Sequence, residues 1–260
     1  MKRSLQWALA AMLLNPAIAT TVVRAQAPAP EAAAAAGQPA APQSKFSFIV
    51  FYREDNDLTR AMAQVVTAKA TARPDFAVAT FVQITDAANA EFVKRFNVAR
   101  APMPLTLVTA PNGAITGGFP QRVTEQQLDS AFVTPAMSHC MKSMQEGKIV
   151  FLCLQTTLDV RVSAGVAQFL ADPQYKDRAT VVAVQLADPA EADLLKELKL
   201  GVQPGQPDTA FFAPPGVLVG AFGPASTKAE IATALQKAGK CCDDPHCKHN
   251  HAAKPGANVR

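Results

Sequence analysis

Residues 96–107 read FNVARAPMPLTL, and this stretch joins two different patterns. Upstream, residues 87–96 carry Phe92 and Phe96 four apart, the spacing of one face of a short helix. Downstream, residues 102–109 form an apolar run that reads as a strand, with Pro102 and Pro104 at its entrance. An X-Pro bond takes the cis form at little cost, so a strand entrance is a credible place for one. Asn112-Gly113 then gives a hairpin-turn signal into a further strand, 114–119.

Working outward, residues 46–52 (FSFIVFY) are aromatic and β-branched and read as a buried strand. Asp55, Asn56 and Asp57 offer helix-capping side chains, and 58–72 place Leu58, Met62, Val65 and Val66 at helical spacing. Residues 76–84 (FAVATFVQI) are a second strand, and 124–132 a helix that Thr124 caps. The order is strand, helix, strand, helix, strand, strand, helix. It then repeats. Strands are expected at 148–155 and 180–186, helices at 159–170 and 190–200, a hairpin at 208–213 and 217–222 around Pro214-Pro215-Gly216, and a last helix at 228–238. A repeat of about 100 residues is too long for a solenoid and points to two copies of one domain.

This element order resembles the thioredoxin fold, and 96–107 is similar to the thioredoxin stretch around its cis-proline. Placed without gaps, Pro102 falls on that proline and Asn112-Gly113 on the following turn, with Pro104 as the rival candidate. In the second copy Leu200-Gly201-Val202, followed by Pro207-Asp208-Thr209-Ala210-Phe211-Phe212, is similar, with Pro207 as the equivalent. The resemblance covers almost all of residues 45–238. It implies an α/β protein of two tandem thioredoxin-like domains, each a central mixed sheet flanked by helices. The boundaries it suggests are 45–133 and 148–239, with a connecting helix at 134–147.

In thioredoxins a Cys-x-x-Cys pair follows the first strand, where the helix N-terminus lowers the pKa of the first thiol. Here Asn56 and Thr59 stand where those cysteines would be, and Asn56 and Asp57 make better sense as caps. The second copy has Gln155-Thr156-Thr157-Leu158-Asp159, again without a thiol. Thioredoxin-type dithiol catalysis is therefore not expected at either position. Cys153 lies inside an apolar strand and reads as packing. Cys140 lies in a helix over 137–145; if that helix folds back on strand 148–155, Cys140 and Cys153 form a structural staple. Two separate reduced thiols are the equal alternative. His139 reads as a surface histidine, and Glu191 and Asp193 as a solvated charged face.

The chain ends add two signals. Lys2 and Arg3 precede a short apolar run over 5–14, the pattern of a secretory signal peptide spanning 1–25. Cuts after Ala25, Ala27 or Ala19 all fit, and the run is too short to span a bilayer. Residues 26–44, nearly all Ala, Pro, Gln and Glu, read as a tether without a core. Export implies a periplasmic or secreted protein with no membrane span in its mature form. At the other end, the tail 240–260 carries Cys241, Cys242, His246, Cys247, His249 and His251, a donor set suited to zinc or copper. A disulfide between Cys242 and Cys247 is the competing reading.

The formal net charge is only +4 and the basic residues are scattered, which gives nucleic-acid binding little support. No Ser-His-Asp arrangement, phosphate loop or His-Glu-x-x-His motif is present, and no catalytic residue or organic cofactor is assigned. The leading expectation is a non-catalytic binding or scaffold protein that holds a polypeptide partner, as the redox-inactive middle domains of protein disulfide isomerases do. A metal-handling protein using the tail and an atypical thiol oxidoreductase are the alternatives. Oligomeric state is left open by the sequence.

Overall fold

The computed structural model describes residues 45–157 and 159–238. The expected signal segment, the Ala/Pro-rich tether and the Cys/His tail lie outside these described residues.

β1 (Phe46–Tyr52) is buried for nearly its whole length because it has neighbours on both sides. It runs parallel to β2 (Ala77–Gln83) and antiparallel to β3 (Leu105–Thr109), and β4 (Ile115–Pro120) lies beyond β3. The strand order is β2-β1-β3-β4. Successive side chains alternate between the two faces. Phe46, Phe48 and Val50 meet Met62 and Val66 of α1 (Asp57–Ala72) and Leu128 of α3 (Glu125–Ser130). Ile49 and Phe51 meet Val93 of α2 (Ala90–Phe96) on the other face. Coverage on both faces is why FSFIVFY shows no polar alternation. The caps follow the expectation: Asn56 Oδ1 accepts from Thr59 N–H at 3.0 Å, and Thr124 forms a capping box with Gln127.

The same arrangement recurs. β5 (Ile149–Gln155) runs parallel to β6 (Ala179–Gln185) and antiparallel to β7 (Thr209–Ala213), with β8 (Val217–Phe222) beyond, in the order β6-β5-β7-β8. Ile149, Phe151 and Cys153 pack on Val166 and Phe169 of α5 (Ala164–Ala171) and Ile231 of α7 (Lys228–Ala238). Val150, Leu152 and Leu154 pack on Leu194 and Leu195 of α6 (Ala192–Glu197) and on α4 (Pro135–Gln145). The fold is α/β, with two tandem four-stranded mixed sheets flanked by helices in a thioredoxin-like arrangement.

α4 serves both sheets. Ala136, Cys140 and Met144, four residues apart, form the stripe that packs on the second sheet. Met141 touches the cores of both halves, and Gln145 hydrogen-bonds to Ile115 of β4.

Several expectations are corrected. The cis bonds are Met103-Pro104 and Pro214-Pro215, so neither Pro102 nor Pro207 is a cis-proline. Pro104, not Pro102, immediately precedes β3, and its carbonyl accepts from Gln121 N–H at 2.6 Å. The Pro207 carbonyl instead accepts from Gly201 N–H at 3.0 Å and closes the loop before β7. Cys140 and Cys153 are free thiols, not a staple. Cys140 lies in the core with Leu152, whereas Cys153 points to the opposite face of β5 with Phe151. Glu191 is not solvated: it is 3% exposed, because its carboxylate turns inward onto the start of α4. Finally, α5 begins at Ala164 rather than near Asp159, with Ser163 as its cap.

Candidate functional site

In both halves the loop after the central strand, which lacks cysteine, is held by polar side chains. In the first half Arg53 donates to the Ala99 carbonyl at 2.8 Å, tying the loop to the segment that leads to Pro104. Gln83 donates to the Arg53 carbonyl at 3.2 Å, and Thr59 Oγ1 to the Glu54 carbonyl at 2.9 Å. Arg60 pairs with Asp55 and Asp57, both of which raise its pKa; the hydrogen bond to Asp57 contributes most. These contacts hold the loop, while residues 53–58 stay exposed.

The second half solves the same problem differently and leaves space. Gln155, only 2% exposed, accepts from Arg161 N–H at 2.7 Å and donates to the carbonyls of Arg161 at 2.8 Å and Cys153 at 3.2 Å. One buried amide therefore ties down the chain across residues 156–161, which delays the start of α5. Beside this loop lies an open depression of about 810 Å³. Leu154 and Thr156 at the end of β5, Pro207 and Asp208 before β7, and Ser226 and Glu230 at the start of α7 contribute to its lining. Val160, Leu186 and Val202 are exposed apolar side chains in the loops at this same end of the sheet. They follow β5 and β6 and precede the antiparallel β7.

The walls are well supported. Gln206 folds over Gly201 and accepts from Gln203 N–H at 3.3 Å; a side chain at Gly201 would collide with it. Gly165 of α5 sits against the Ser226 carbonyl, a packing distance no other residue permits. Thr227 and Glu230 cap α7 reciprocally, with Thr227 N–H to Glu230 Oε2 at 2.8 Å and Glu230 N–H to Thr227 Oγ1 at 3.3 Å. Lys228 pairs with Asp172 at 2.5 Å, joining α7 to the end of α5; that hydrogen bond is the main cause holding the Asp172 carboxyl below its usual range.

Neither described thiol is placed for nucleophilic chemistry. Burial pushes Cys140 up to about 12, with the negative charge of Glu191 adding to the effect. Burial pushes Cys153 up to about 11, offset in part by a hydrogen bond from Thr209. A reactive cysteine needs the opposite environment. His139 is exposed on α4, as expected. Among the described residues no three His, Cys, Asp or Glu side chains converge as a metal site would require. The tail residues Cys241, Cys242, His246, Cys247, His249 and His251 lie outside the described set. No helix among the described residues is long and apolar enough to cross a membrane.

The roles of Gln145 and Gln155 are not signalled in the sequence, and Glu191 reads there as a solvated charge, because each is a polar residue at an element end, where polar residues are ordinary. Only their tertiary partners distinguish them.

No protein-family model matches the chain, and no curated protein matches it. Among solved structures it is similar to Fasciola hepatica thioredoxin, at 18% identity over 38% of this chain and 84% of that one, with a TM-score of 0.28. It is also similar to the N-terminal domain of the alkylhydroperoxide reductase AhpF from Enterococcus faecalis, at 15% identity over 75% of this chain and 92% of that one, TM-score 0.29. Human ERp44 matches at 8% identity over 55% of this chain and 42% of that one, TM-score 0.30. At these levels the fold rests on the strand order and register described above: two thioredoxin-like sheets, one after the other.

Proposed function

We propose that this chain is an exported, non-catalytic thioredoxin-fold protein that holds a polypeptide partner at the depression of its second half. The carrying observation is the open depression beside the second loop. Both loops lack the thiols of dithiol exchange and both are held by hydrogen bonds, and the second borders a concavity of about 810 Å³. Val202 lines this concave surface, and Val160 and Leu186 are exposed in other loops at the same end of the sheet. A concavity lined by both polar and apolar groups suits an extended polypeptide, whose main chain needs hydrogen bonds and whose side chains need apolar contact. The test pairs two measurements on the purified mature protein. It should fail to reduce insulin disulfides. It should bind reduced, alkylated lactalbumin, an unfolded probe, with affinity that falls at least fivefold in Val160→Asp/Val202→Asp. Insulin reduction, or binding unaffected by the double substitution, overturns the proposal.

A second reading follows from the concentration of Cys241, Cys242, His246, Cys247, His249 and His251 in the tail. Thiolate and imidazole donors suit zinc or Cu(I), and such a tail would handle the metal independently of the folded region. Calorimetry on the reduced chain should show stoichiometric binding that disappears on deleting residues 241–251. Binding no tighter than micromolar rules this out.

A further inference from the structure

Among the described residues β2 is an outer strand of the first sheet, and it has none of the usual protections. Its sequence, AVATFVQ, has no charge, no proline and no glycine. Val78 and Phe81 are 45% and 43% exposed, and Phe76 just before the strand is 44% exposed. The second half shows what is missing. There, Val182 and Val184 of β6 pack in the core that Ala136, Cys140 and Met144 of α4 cover. No helix among the described residues covers Val78 in the first half in that way.

The backbone of β2 is specific about what it accepts. Phe46 N–H donates to the Phe76 carbonyl at 2.9 Å, and Ile84 N–H donates to the Tyr52 carbonyl at 2.8 Å. Even-numbered residues of β2 therefore turn their peptide groups toward β1, and Ala77, Ala79, Phe81 and Gln83 turn theirs outward. Two of these outward groups are already used. Ala77 N–H donates to Arg73 O at 2.9 Å, and Gln83 O accepts from Asp86 N–H at 3.3 Å and from the Asn89 amide at 3.0 Å. Among the described residues, what remains is the Ala77 carbonyl, the Gln83 N–H, and both groups of Ala79 and Phe81.

We infer that β2 pairs antiparallel with β2 of a second copy, about a twofold axis through Thr80. In that register Ala79 faces Phe81 of the second copy and exchanges both hydrogen bonds, and the reverse pair does the same. Ala77 faces Gln83, so the one remaining acceptor meets the one remaining donor at each end. Side chains also agree: Phe81 lies beside the small Ala79, Val78 beside Val82, and Thr80 beside Thr80. At each end two cations, Lys45 and Arg73, outnumber the neighbouring Asp75. Lys45 Nζ, held by the Pro74 carbonyl at 2.7 Å, and the adjacent Arg73 come opposite Asp86 of the second copy. A closed, isologous dimer with one continuous eight-stranded sheet results, and it uses up the edge.

The test uses the full chain in sedimentation velocity at high micromolar concentration. A species of twice the monomer mass is expected, and Val78→Lys/Phe81→Lys should convert it to monomer while leaving the melting temperature of the fold in place. Thr80→Cys gives a second readout, because the axial pair is a non-hydrogen-bonded one with close Cα atoms. Under mild oxidation it should cross-link to dimer well beyond the unsubstituted chain. A monomeric chain, a dimer that survives the lysine substitutions, or no extra cross-linking at Cys in place of Thr80 each overturns the proposal.

Discussion

Gln145, at the end of α4, makes two hydrogen bonds to a single residue of the first sheet. Its Nε2 donates to the Ile115 carbonyl at 2.6 Å, and its Oε1 accepts from the Ile115 N–H at 3.0 Å. A primary amide carries one acceptor and two donors on a planar group, so it reproduces the pairing edge of a neighbouring strand. At the other end of α4, Glu191 Oε1 accepts from Ala136 N–H at 2.7 Å. The connecting helix is thus fixed to the first sheet by one end and to the second by the other.

Replacing Gln145 by Ala should remove both bonds at a site water can reach, at a cost of about 1 kcal/mol. Gln145→Glu keeps the acceptor and loses the donor, so its melting temperature should fall between those of wild type and Gln145→Ala. Hydrogen exchange at the Ile115 amide reports the clamp directly and should speed up in the Ala variant. Unchanged exchange there would show that the clamp does not persist in solution.

Glu191 is buried, and its Oε2 has no hydrogen-bond partner among the described residues. Glu191→Ala should cost about 1–3 kcal/mol, because it leaves the Ala136 N–H buried without an acceptor. Glu191→Gln keeps an acceptor for that N–H and removes a buried carboxylate, so it should be close to neutral or stabilising. Denaturant melts of the two variants decide this. An equal loss in both would mean that the charge itself matters.

Both described thiols should resist alkylation in the native protein at pH 8 and react only when denaturant exposes them. Burial raises Cys140 from 9.0 to about 12 and Cys153 from 9.0 to about 11. The sign follows from linkage: below pH 9 both states hold the proton, and above it the unfolded chain loses protons that the folded chain keeps. The stability these thiols contribute is therefore complete below about pH 9 and is lost as pH rises through the folded values. Melts at pH 8 and pH 10.5 should show that loss, and it should shrink in Cys140→Ala/Cys153→Ala relative to its own value at pH 8.

Gly165→Ala should disturb the depression from behind. The new methyl group would meet the Ser226 carbonyl and the Thr227 backbone, neither of which is the end of a flexible side chain. Overpacking of this kind costs about 1–3 kcal/mol, and here it also displaces one wall of the proposed binding surface. Probe binding should weaken by more than Gln145→Ala weakens it, although both variants are mildly destabilised. Equal effects on binding would separate the depression from the polypeptide site.

Much of the architecture could be read from local pattern. FSFIVFY and KIVFLCLQ announce central strands by lacking alternation, since both faces of such a strand are covered. Asn56 and Thr124 announce helix starts through caps that act within three residues. α7 has its expected bounds, Lys228–Ala238. The depression was not legible, because it is the gap between a loop after β5, a loop before β7 and the start of α7. Nor was the late start of α5, which depends on the contact of Gln155 with Arg161 rather than on helix propensity.

The segment from Phe96 to Leu107 shows where the division falls. Its sequence determined that a helix ends and a proline-led strand begins, because apolar period and proline chemistry are local properties. Elsewhere in the chain, residues 53–59 and 156–159 determined in the same local way that no thiol follows either central strand. Which proline adopts the cis form was decided only by tertiary structure, where Pro104 meets Gln121 at the edge of β3. The separation of Cys140 from Cys153 was decided in the same way, by the two faces of β5. Long-range partners set those outcomes, and a residue's partners across the fold are not encoded in its neighbours along the chain.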